Sequence, residues 1–214
     1  DGTVGGSGEL GEGDTIRDDV ENLIGGSGND ALFGNSGDNV LIGGLGADIL
    51  LGGEGFDTVS YADKTAAVTA SADDAEGDDG TSGEGDSIHS DVEHLIGGSG
   101  DDYLTGGPGD DLLTGGAGND FLRGAGGSDE LQGGDGTDTA SYTDKSAAVT
   151  ASLDGVSGND GTSGEGDTID ADVENLLGGS GNDTLTGNNS ANVISGFDGD
   201  DVLVGLNGAD VFNG

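Results

Sequence analysis

A nine-residue pattern fills most of this sequence and keeps one register along it. The stretch GGSGNDALF, which begins at residue 25, is followed directly by GNSGDNVLI, GGLGADILL and GGEGFDTVS. Recognisable units begin at residues 25, 34, 43, 52, 97, 106, 115, 124, 133, 178, 187, 196 and 205. A unit this short cannot bury an apolar face alone, so the pattern predicts a chain whose copies stack on one another.

Two positions of the unit carry the same chemistry in nearly every copy. The sixth position holds an acid or its amide: Asp30, Asn39, Asp48, Asp57, Asp102, Asp111, Asp120, Asp129, Asp138, Asp183, Asn192, Asp201 and Asp210. The eighth position holds an apolar residue: Leu32, Leu41, Leu50, Val59, Leu104, Leu113, Leu122, Leu131, Ala140, Leu185, Ile194, Leu203 and Phe212. The stacked chain should therefore carry one carboxylate column and one aliphatic column.

The unit itself predicts a turn followed by a short strand. Glycine at positions one, two and four allows backbone conformations that other residues avoid, which favours a tight turn. The last three residues, such as ALF or ILL, favour a strand, in which the eighth side chain faces away from the seventh and ninth. Two units would then form one coil, and coils would stack as parallel strands about 4.8 Å apart. We therefore expect an all-β parallel solenoid with a thin aliphatic core.

Longer segments interrupt the units without a change in the count of nines. Residues 61–96 and 142–177 are copies of one another, and GEGDSIHSDVEHLIGG at 83–98 recurs as GEGDTIDADVENLLGG at 164–179. We expect one elongated domain, 1–214, cut from a longer array. Its order would be a partial gap module (1–24), repeats (25–60), a gap module (61–96), repeats (97–141), a gap module (142–177) and repeats (178–214). The gap modules should continue the scaffold and bulge outward as loops in their middle.

Composition indicates that hydrophobic burial alone does not suffice for such a fold. The chain has 44 Asp and Glu against 4 Lys and Arg, a net charge of -40 and only 4% aromatic residues. This charge argues against nucleic acid as a partner, because phosphates would be repelled. No apolar run is long enough to span a membrane. The lack of cysteine excludes disulfides. Stacked carboxylates repel one another, so the column needs a cation. Carboxylate and carbonyl oxygens favour a hard divalent ion, with Ca²⁺ suited to irregular geometry.

The pattern GGxGxDxUx, with U aliphatic, resembles the calcium-binding nonapeptide repeat of RTX (hemolysin-type) proteins. The resemblance implies a right-handed parallel β-roll (a β-helix-like solenoid) with two nonapeptides per coil, which folds when it binds several Ca²⁺ ions. Family members are exported bacterial proteins, so a secreted or cell-surface location follows. The gap modules resemble segments between such repeats in actinobacterial-type RTX calcium-binding proteins.

The resemblance also implies the ligands. Each ion would lie between sixth-position residues of successive turns on one side: Asp30 with Asp48, Asn39 with Asp57, Asp102 with Asp120, Asp111 with Asp129, Asp120 with Asp138, Asp183 with Asp201, and Asn192 with Asp210. The turn carbonyls that complete the sites would include those of Gly25, Ser27, Gly44, Gly46, Gly97, Ser99, Gly106, Pro108, Gly115, Gly116, Ala117, Gly118, Gly134, Gly136, Gly178 and Ser180.

Departures from the pattern mark weaker sites. Asn39 and Asn192 offer a neutral oxygen, so we expect weaker or empty sites there. Regular sites should lapse in the gap modules. The repeated GEGD motif there is either an irregular calcium site or a solvated acidic loop; its acids are Glu12, Asp14, Glu84, Asp86, Glu165 and Asp167.

No catalytic constellation is present in the sequence, so we expect no enzyme. Lys64 and Lys145 should pair with nearby acids, and Tyr61 and Tyr142 should cap the core. The leading hypothesis is a calcium-binding structural module of an exported bacterial protein. The alternatives are a secretion or folding appendage of a secreted enzyme or toxin, and a segment of an adhesin, surface layer or self-assembling filament. Partners beyond calcium would be other copies of the chain or a neighbouring domain.

Overall fold

The computed structural model describes residues 4–5 and 20–214, and within them the protein is all β, without a helix. The strands of the first half are β1 (Val4–Gly5), β2 (Asn22–Gly26), β3 (Ala31–Phe33), β4 (Val40–Gly44), β5 (Ile49–Leu51), β6 (Thr58–Ser60), β7 (Val68–Ser71), β8 (Gly80–Thr81), β9 (Ser87–Ile88), β10 (His94–Ile96) and β11 (Tyr103–Thr105). Those of the second half are β12 (Leu112–Gly118), β13 (Phe121–Arg123), β14 (Glu130–Gly136), β15 (Thr139–Ser141), β16 (Val149–Ser152), β17 (Gly161–Thr162), β18 (Thr168–Ile169), β19 (Asn175–Leu177), β20 (Thr184–Thr186), β21 (Val193–Ser195), β22 (Val202–Val204) and β23 (Val211–Asn213).

The strands form stacks on two sides of a thin core, and all pairs are parallel except β7 with β8 and β16 with β17. One stack runs β1-β2-β4-β6-β10-β12-β14-β18, and the others run β3-β5-β9, β8-β7-β11-β13-β15-β19-β21-β23 and β17-β16-β20-β22. Within the repeat blocks a strand pairs with the strand 18 residues later, as Leu32 does with Leu50 and Leu113 with Leu131. The predicted parallel β-roll with two nonapeptides per coil is confirmed.

The aliphatic column forms the core. The eighth-position side chains from Leu32 to Ile194 are buried, whereas Leu203 is partly buried and Phe212 is 49% exposed. Burial of a Val or Leu side chain contributes about 1.5–3 kcal/mol. Only one such side chain per unit faces inward, because strand residues alternate between the two faces. The core is therefore continuous but one side chain thick on each side.

Each gap module makes one coil with a hairpin added to it. Leu95 lies opposite Val59, 36 residues earlier, where a regular coil would need 18. The extra residues run through β8, which pairs antiparallel with β7, and through an antiparallel bridge between Asp79 and Asp86. They end in β9, where Ile88 pairs with Leu50. The second module repeats this arrangement with β17, β18 and the bridge between residues 160 and 167.

The hairpin agrees with the expected outward loop and corrects the expected register. The middle of the module does contain exposed residues at 76–78 and 82–83, but Asp79, Asp86 and Ile88 are buried parts of the scaffold. The nine-residue register also fails inside the module, because Ile88 lies 38 residues after Leu50. A shift by two residues preserves which side chains face inward, since strands alternate with a period of two. The core column therefore continues although the register does not.

Within the described ranges, no helix has the length and apolar character that a membrane crossing requires.

Candidate metal centres

The sixth-position acid folds back beneath the first residue of its own turn. A Cβ built on Gly25 would lie 2.7 Å from Asp30 Oδ2, a distance at which something would have to shift. The same arrangement recurs in the other units, and all thirteen carry glycine at position one. The first glycine of the motif therefore makes room for the carboxylate.

Consecutive turns on one side stack in close contact. Gly44 and Gly46 have φ values of 103° and 123°, and a Cβ on either would collide with the carbonyl oxygen of Gly26 or Gly28 in the turn below. Carbonyl oxygens thus point into the space between two turns, beside the acids.

A hydrogen bond links every pair of sixth-position residues that the sequence analysis proposed. In each pair, the backbone N–H of the earlier residue donates to Oδ1 of the later one. The distances are 2.8 Å for Asp30–Asp48, 2.7 Å for Asn39–Asp57, 2.8 Å for Asp102–Asp120, 3.0 Å for Asp111–Asp129, 2.8 Å for Asp120–Asp138, 2.9 Å for Asp183–Asp201 and 3.1 Å for Asn192–Asp210. We call this series of contacts the acid ladder.

The second oxygen of many ladder acids is buried and has no partner in the described part of the chain. These oxygens are Oδ2 of Asp30, Asp48, Asp57, Asp120 and Asp138. A buried carboxylate oxygen without a partner is costly, because it has lost water and gained nothing in return. A hard cation between the turns would supply the missing partner, and the donor set of carboxylate and carbonyl oxygens fits Ca²⁺.

Burial also raises the pKa of the ladder acids. It raises the pKa of Asp48 and Asp120 to about 6, of Asp111 to about 7 and of Asp129 to about 8, and neighbouring carboxylates add to the effect. The turn environment without a cation therefore disfavours the charged form of these groups.

Side chains alone do not make a metal site here. Among residues 20–214, no three His, Cys, Asp or Glu side chains converge as a group able to hold an ion. A cation at the ladder would therefore need backbone carbonyl oxygens in addition to one or two carboxylates.

The two asparagines of the ladder are satisfied without an ion. Asn39 Oδ1 accepts the N–H of Asn35 at 2.7 Å, and its Nδ2 donates to the carbonyl of Val20 at 3.0 Å. Asn192 repeats this with the N–H of Asn188 and the carbonyl of Glu174. The amide nitrogen thus donates a hydrogen bond to a backbone carbonyl, which Oδ2 of an ionised aspartate cannot do.

The first units of the later blocks also differ from those that follow. In these opening units, Oδ2 of the ladder acid accepts the N–H of the second turn residue. The contacts are Gly98 to Asp102 at 2.5 Å, Gly107 to Asp111 at 2.7 Å and Gly179 to Asp183 at 2.7 Å. In an opening turn, a backbone N–H of the same turn therefore binds Oδ2 of the acid. Oδ2 of Asp120 and Asp138, one and two coils after Asp102, has no such partner among the described residues.

The turn carbonyls that the sequence analysis expects as ligands lie in different surroundings. The carbonyls of Gly116 and Gly118 point at the next turn, at Gly134 and Gly136, and the carbonyl of Gly115 points back at Gly97. The Gly44 carbonyl, also an expected ligand, instead accepts a hydrogen bond from Lys64 Nζ. All of the expected carbonyl ligands stay predictions.

The acids of the GEGD motif take part in internal contacts. Glu84 pairs with Lys64 at 2.6 Å and accepts from the N–H of Thr81 at 2.9 Å. Asp86 accepts the N–H of Asp48 at 2.9 Å and the hydroxyl of Tyr61 at 2.9 Å. Glu165 and Asp167 have the equivalent partners Lys145, Asp129 and Tyr142. Glu12 and Asp14 lie outside the described residues.

Sequence reasoning missed that the gap modules extend the ladder. Glu93 Oε2 accepts the N–H of Asp57 at 2.8 Å, and Glu174 does the same for Asp138 at 2.9 Å. Asp91 accepts the N–H groups of Gly52 and Gly53. The signal was present, because Glu93 and Glu174 occupy sixth positions in the count of nines.

Comparison with known families agrees with this geometry. The family model of the RTX calcium-binding nonapeptide repeat matches in four copies, at residues 24–59, 90–122, 114–140 and 177–212, which is more than half of the chain. No curated protein matches the sequence. Stacked turns, an acid ladder and the family match lead to one conclusion: the chain belongs to the RTX calcium-binding nonapeptide repeat family.

Proposed function

We propose that this chain is a structural module that folds when Ca²⁺ binds between successive turns of the acid ladder. RTX nonapeptide repeats bind Ca²⁺, and the repeat is structural rather than catalytic. The observation that carries the proposal is the set of buried, unpartnered Oδ2 atoms at Asp30, Asp48, Asp57, Asp120 and Asp138.

The proposed mechanism couples ion binding to folding. Oδ1 of a ladder acid holds the preceding coil through its backbone N–H, and Oδ2 is left for an ion together with carbonyls of the two turns. The ion removes repulsion between acids and links two coils at once. Because the unfolded chain lacks such a site, the free energy of ion binding becomes free energy of folding.

We infer that the module works outside the cell. RTX repeat proteins are typically exported bacterial proteins. Extracellular calcium modules commonly have dissociation constants of about 10⁻⁴ to 10⁻³ M, so such a chain would stay unfolded in the cytosol and fold after export. The same mechanism would serve an appendage of a secreted enzyme or a segment of an adhesin.

The test is the folding of the whole chain in calcium, in magnesium and in EDTA. We expect a β-type circular dichroism spectrum and a small hydrodynamic radius in calcium, with loss of both in EDTA. Magnesium should substitute poorly, because it demands octahedral geometry. A spectrum that does not change on removal of calcium would contradict the proposal.

A further inference from the structure

Lys64 contacts the acid ladder at the unit that begins at residue 43. This unit is the last regular one of the first repeat block on its side of the solenoid. Its ammonium contacts the carbonyl oxygen of Gly44 and lies 2.6 Å from Glu84 Oε1, and the side chains of Lys64 and Glu84 are each only 10% exposed. Gly44 is the second residue of the unit at 43. The ammonium therefore contacts the carbonyl oxygen of the second residue of a turn. In regular units such as those of Gly26 and Gly116, this oxygen faces the next turn.

Lys145 repeats this contact in the second gap module. Its ammonium contacts the carbonyl oxygen of Ala125 and the carboxylate of Glu165. Ala125 is the second residue of the unit at 124, so both lysines meet the same position of a turn. These are the two lysines of the chain, which has 44 acids.

The hairpin supplies the next turn of the ladder at each of these places. Asp48 donates its N–H to Asp86 Oδ1 at 2.9 Å, as Asp30 does to Asp48 at 2.8 Å. The segment TSGEGD at 81–86 thus stacks as a further unit, with Glu84 at position four, where nearly all regular units have glycine. The ammonium lies between two successive turns, because it contacts Gly44 in one and Glu84 in the other. This is the place that we propose calcium occupies between two regular turns.

The same hairpin satisfies the oxygens that stay without a partner in regular units. Asp86 Oδ2 accepts the hydroxyl of Tyr61 at 2.9 Å, whereas Asp48 Oδ2, one turn earlier, is buried and unpartnered among the described residues. Glu84 is held by the N–H and the hydroxyl of Thr81 at 2.9 and 2.8 Å. On the hairpin side of this step, Asp86 and Glu84 have protein partners, and the ammonium contacts both Glu84 and the Gly44 carbonyl.

We propose that Lys64 and Lys145 are tethered cations that take the place of a calcium ion between the last regular turn and the hairpin turn of each gap module. A lysine ammonium is a compact point charge with three donors, which suits a carbonyl and a carboxylate. This step of the ladder then needs no metal, so the calcium array is divided into separate segments. The inference rests on the proposed function, because it assumes that calcium fills the regular steps.

The test compares Lys64→Gln with Arg123→Gln in the whole chain. Both variants remove one positive charge, but Arg123 lies in strand β13, over the rings of Tyr103 and Phe121. Bound calcium per chain is counted by equilibrium dialysis and atomic emission, and folding is followed by circular dichroism against calcium concentration. We expect Lys64→Gln to bind one additional ion at saturation, and Arg123→Gln to bind the wild-type number.

The outcomes separate this inference from the proposed function. A wild-type chain that neither binds calcium nor folds with it contradicts the proposed function. A wild-type chain that does both, with a Lys64→Gln variant that matches Arg123→Gln in ion count and calcium midpoint, overturns the inference alone. If Lys64→Gln folds poorly even in calcium, the double variant Lys64→Gln/Glu84→Gln is measured in the same way. Recovery shows that an unneutralised carboxylate caused the loss, and no recovery overturns the inference.

Discussion

The backbone N–H of Asp102 donates a hydrogen bond of 2.8 Å to Oδ1 of Asp120, eighteen residues later, while Oδ2 of Asp120 stays buried and unpartnered among the described residues. One carboxylate thus has two roles. Its first oxygen joins two coils, and its second oxygen is available to a cation. Loss of the side chain should therefore remove a coil contact and an ion ligand together.

We predict that Asp120→Ala weakens calcium-dependent folding more than Asn39→Ala. Asp120 lies in the middle of a ladder run and contacts both Asp102 and Asp138, whereas the Asn39 amide is satisfied by protein groups. Loss of a hydrogen bond to a charged group costs about 1.5–3 kcal/mol. Calcium titrations followed by circular dichroism should show a higher midpoint and lower cooperativity for Asp120→Ala. Equal titration curves for the two variants would contradict the ladder pairing.

We predict that Asn39→Asp strengthens calcium binding and destabilises the metal-free chain. The substitution replaces the Nδ2 donor to the Val20 carbonyl by an anionic oxygen, which repels that carbonyl unless a cation lies between them. Isothermal titration calorimetry should show tighter or additional calcium binding, and Asn192→Asp should behave alike. An unchanged calcium profile in both variants would show that charge at this position does not limit binding.

We predict that acid favours folding of the metal-free chain. Burial raises the pKa of Asp48, Asp111 and Asp129 to about 6, 7 and 8, from an ordinary value of 3.8. A carboxyl group with a raised pKa stabilises the fold fully below about pH 4 and loses that contribution as the pH rises through about 6 to 8. In EDTA, β-type circular dichroism should therefore increase as the pH falls from 8 to 4. In calcium the opposite trend should hold, because protons compete with the ion.

We predict opposite outcomes for alanine at the same position of two successive turns on one side. Gly127 has a φ of 117°, and a Cβ there would collide with the Gly109 carbonyl, so Gly127→Ala should cost about 1–3 kcal/mol. A Cβ on Gly109 meets nothing within 4 Å among the described residues, so Gly109→Ala should stay within about 0.5 kcal/mol of the parent protein. Urea unfolding in saturating calcium measures both. Similar losses in the two variants would contradict the stacked-turn geometry.

The repeat by itself determined the coil. A spacing of nine places Leu32 beside Leu50 and Asp30 beside Asp48, because both contacts follow from two units per turn of the solenoid. Such contacts repeat the same short-range geometry, so one unit predicts all of them. The family resemblance came from the same residues.

Only the tertiary structure decided how the gap modules join the coil. The contacts of Ile88 with Leu50 and of Lys64 with Gly44 depend on a hairpin that shifts the register by two residues. That shift leaves the alternation of buried and exposed residues intact, so the hydrophobic pattern cannot show it. The same limit applies to Gly109 and Gly127, which occupy the same position of the repeat but differ in backbone conformation and in the space around them. The turn of Gly109 follows a gap module on its side, whereas that of Gly127 stacks on a regular turn, and no residue type within the unit indicates which neighbour it has.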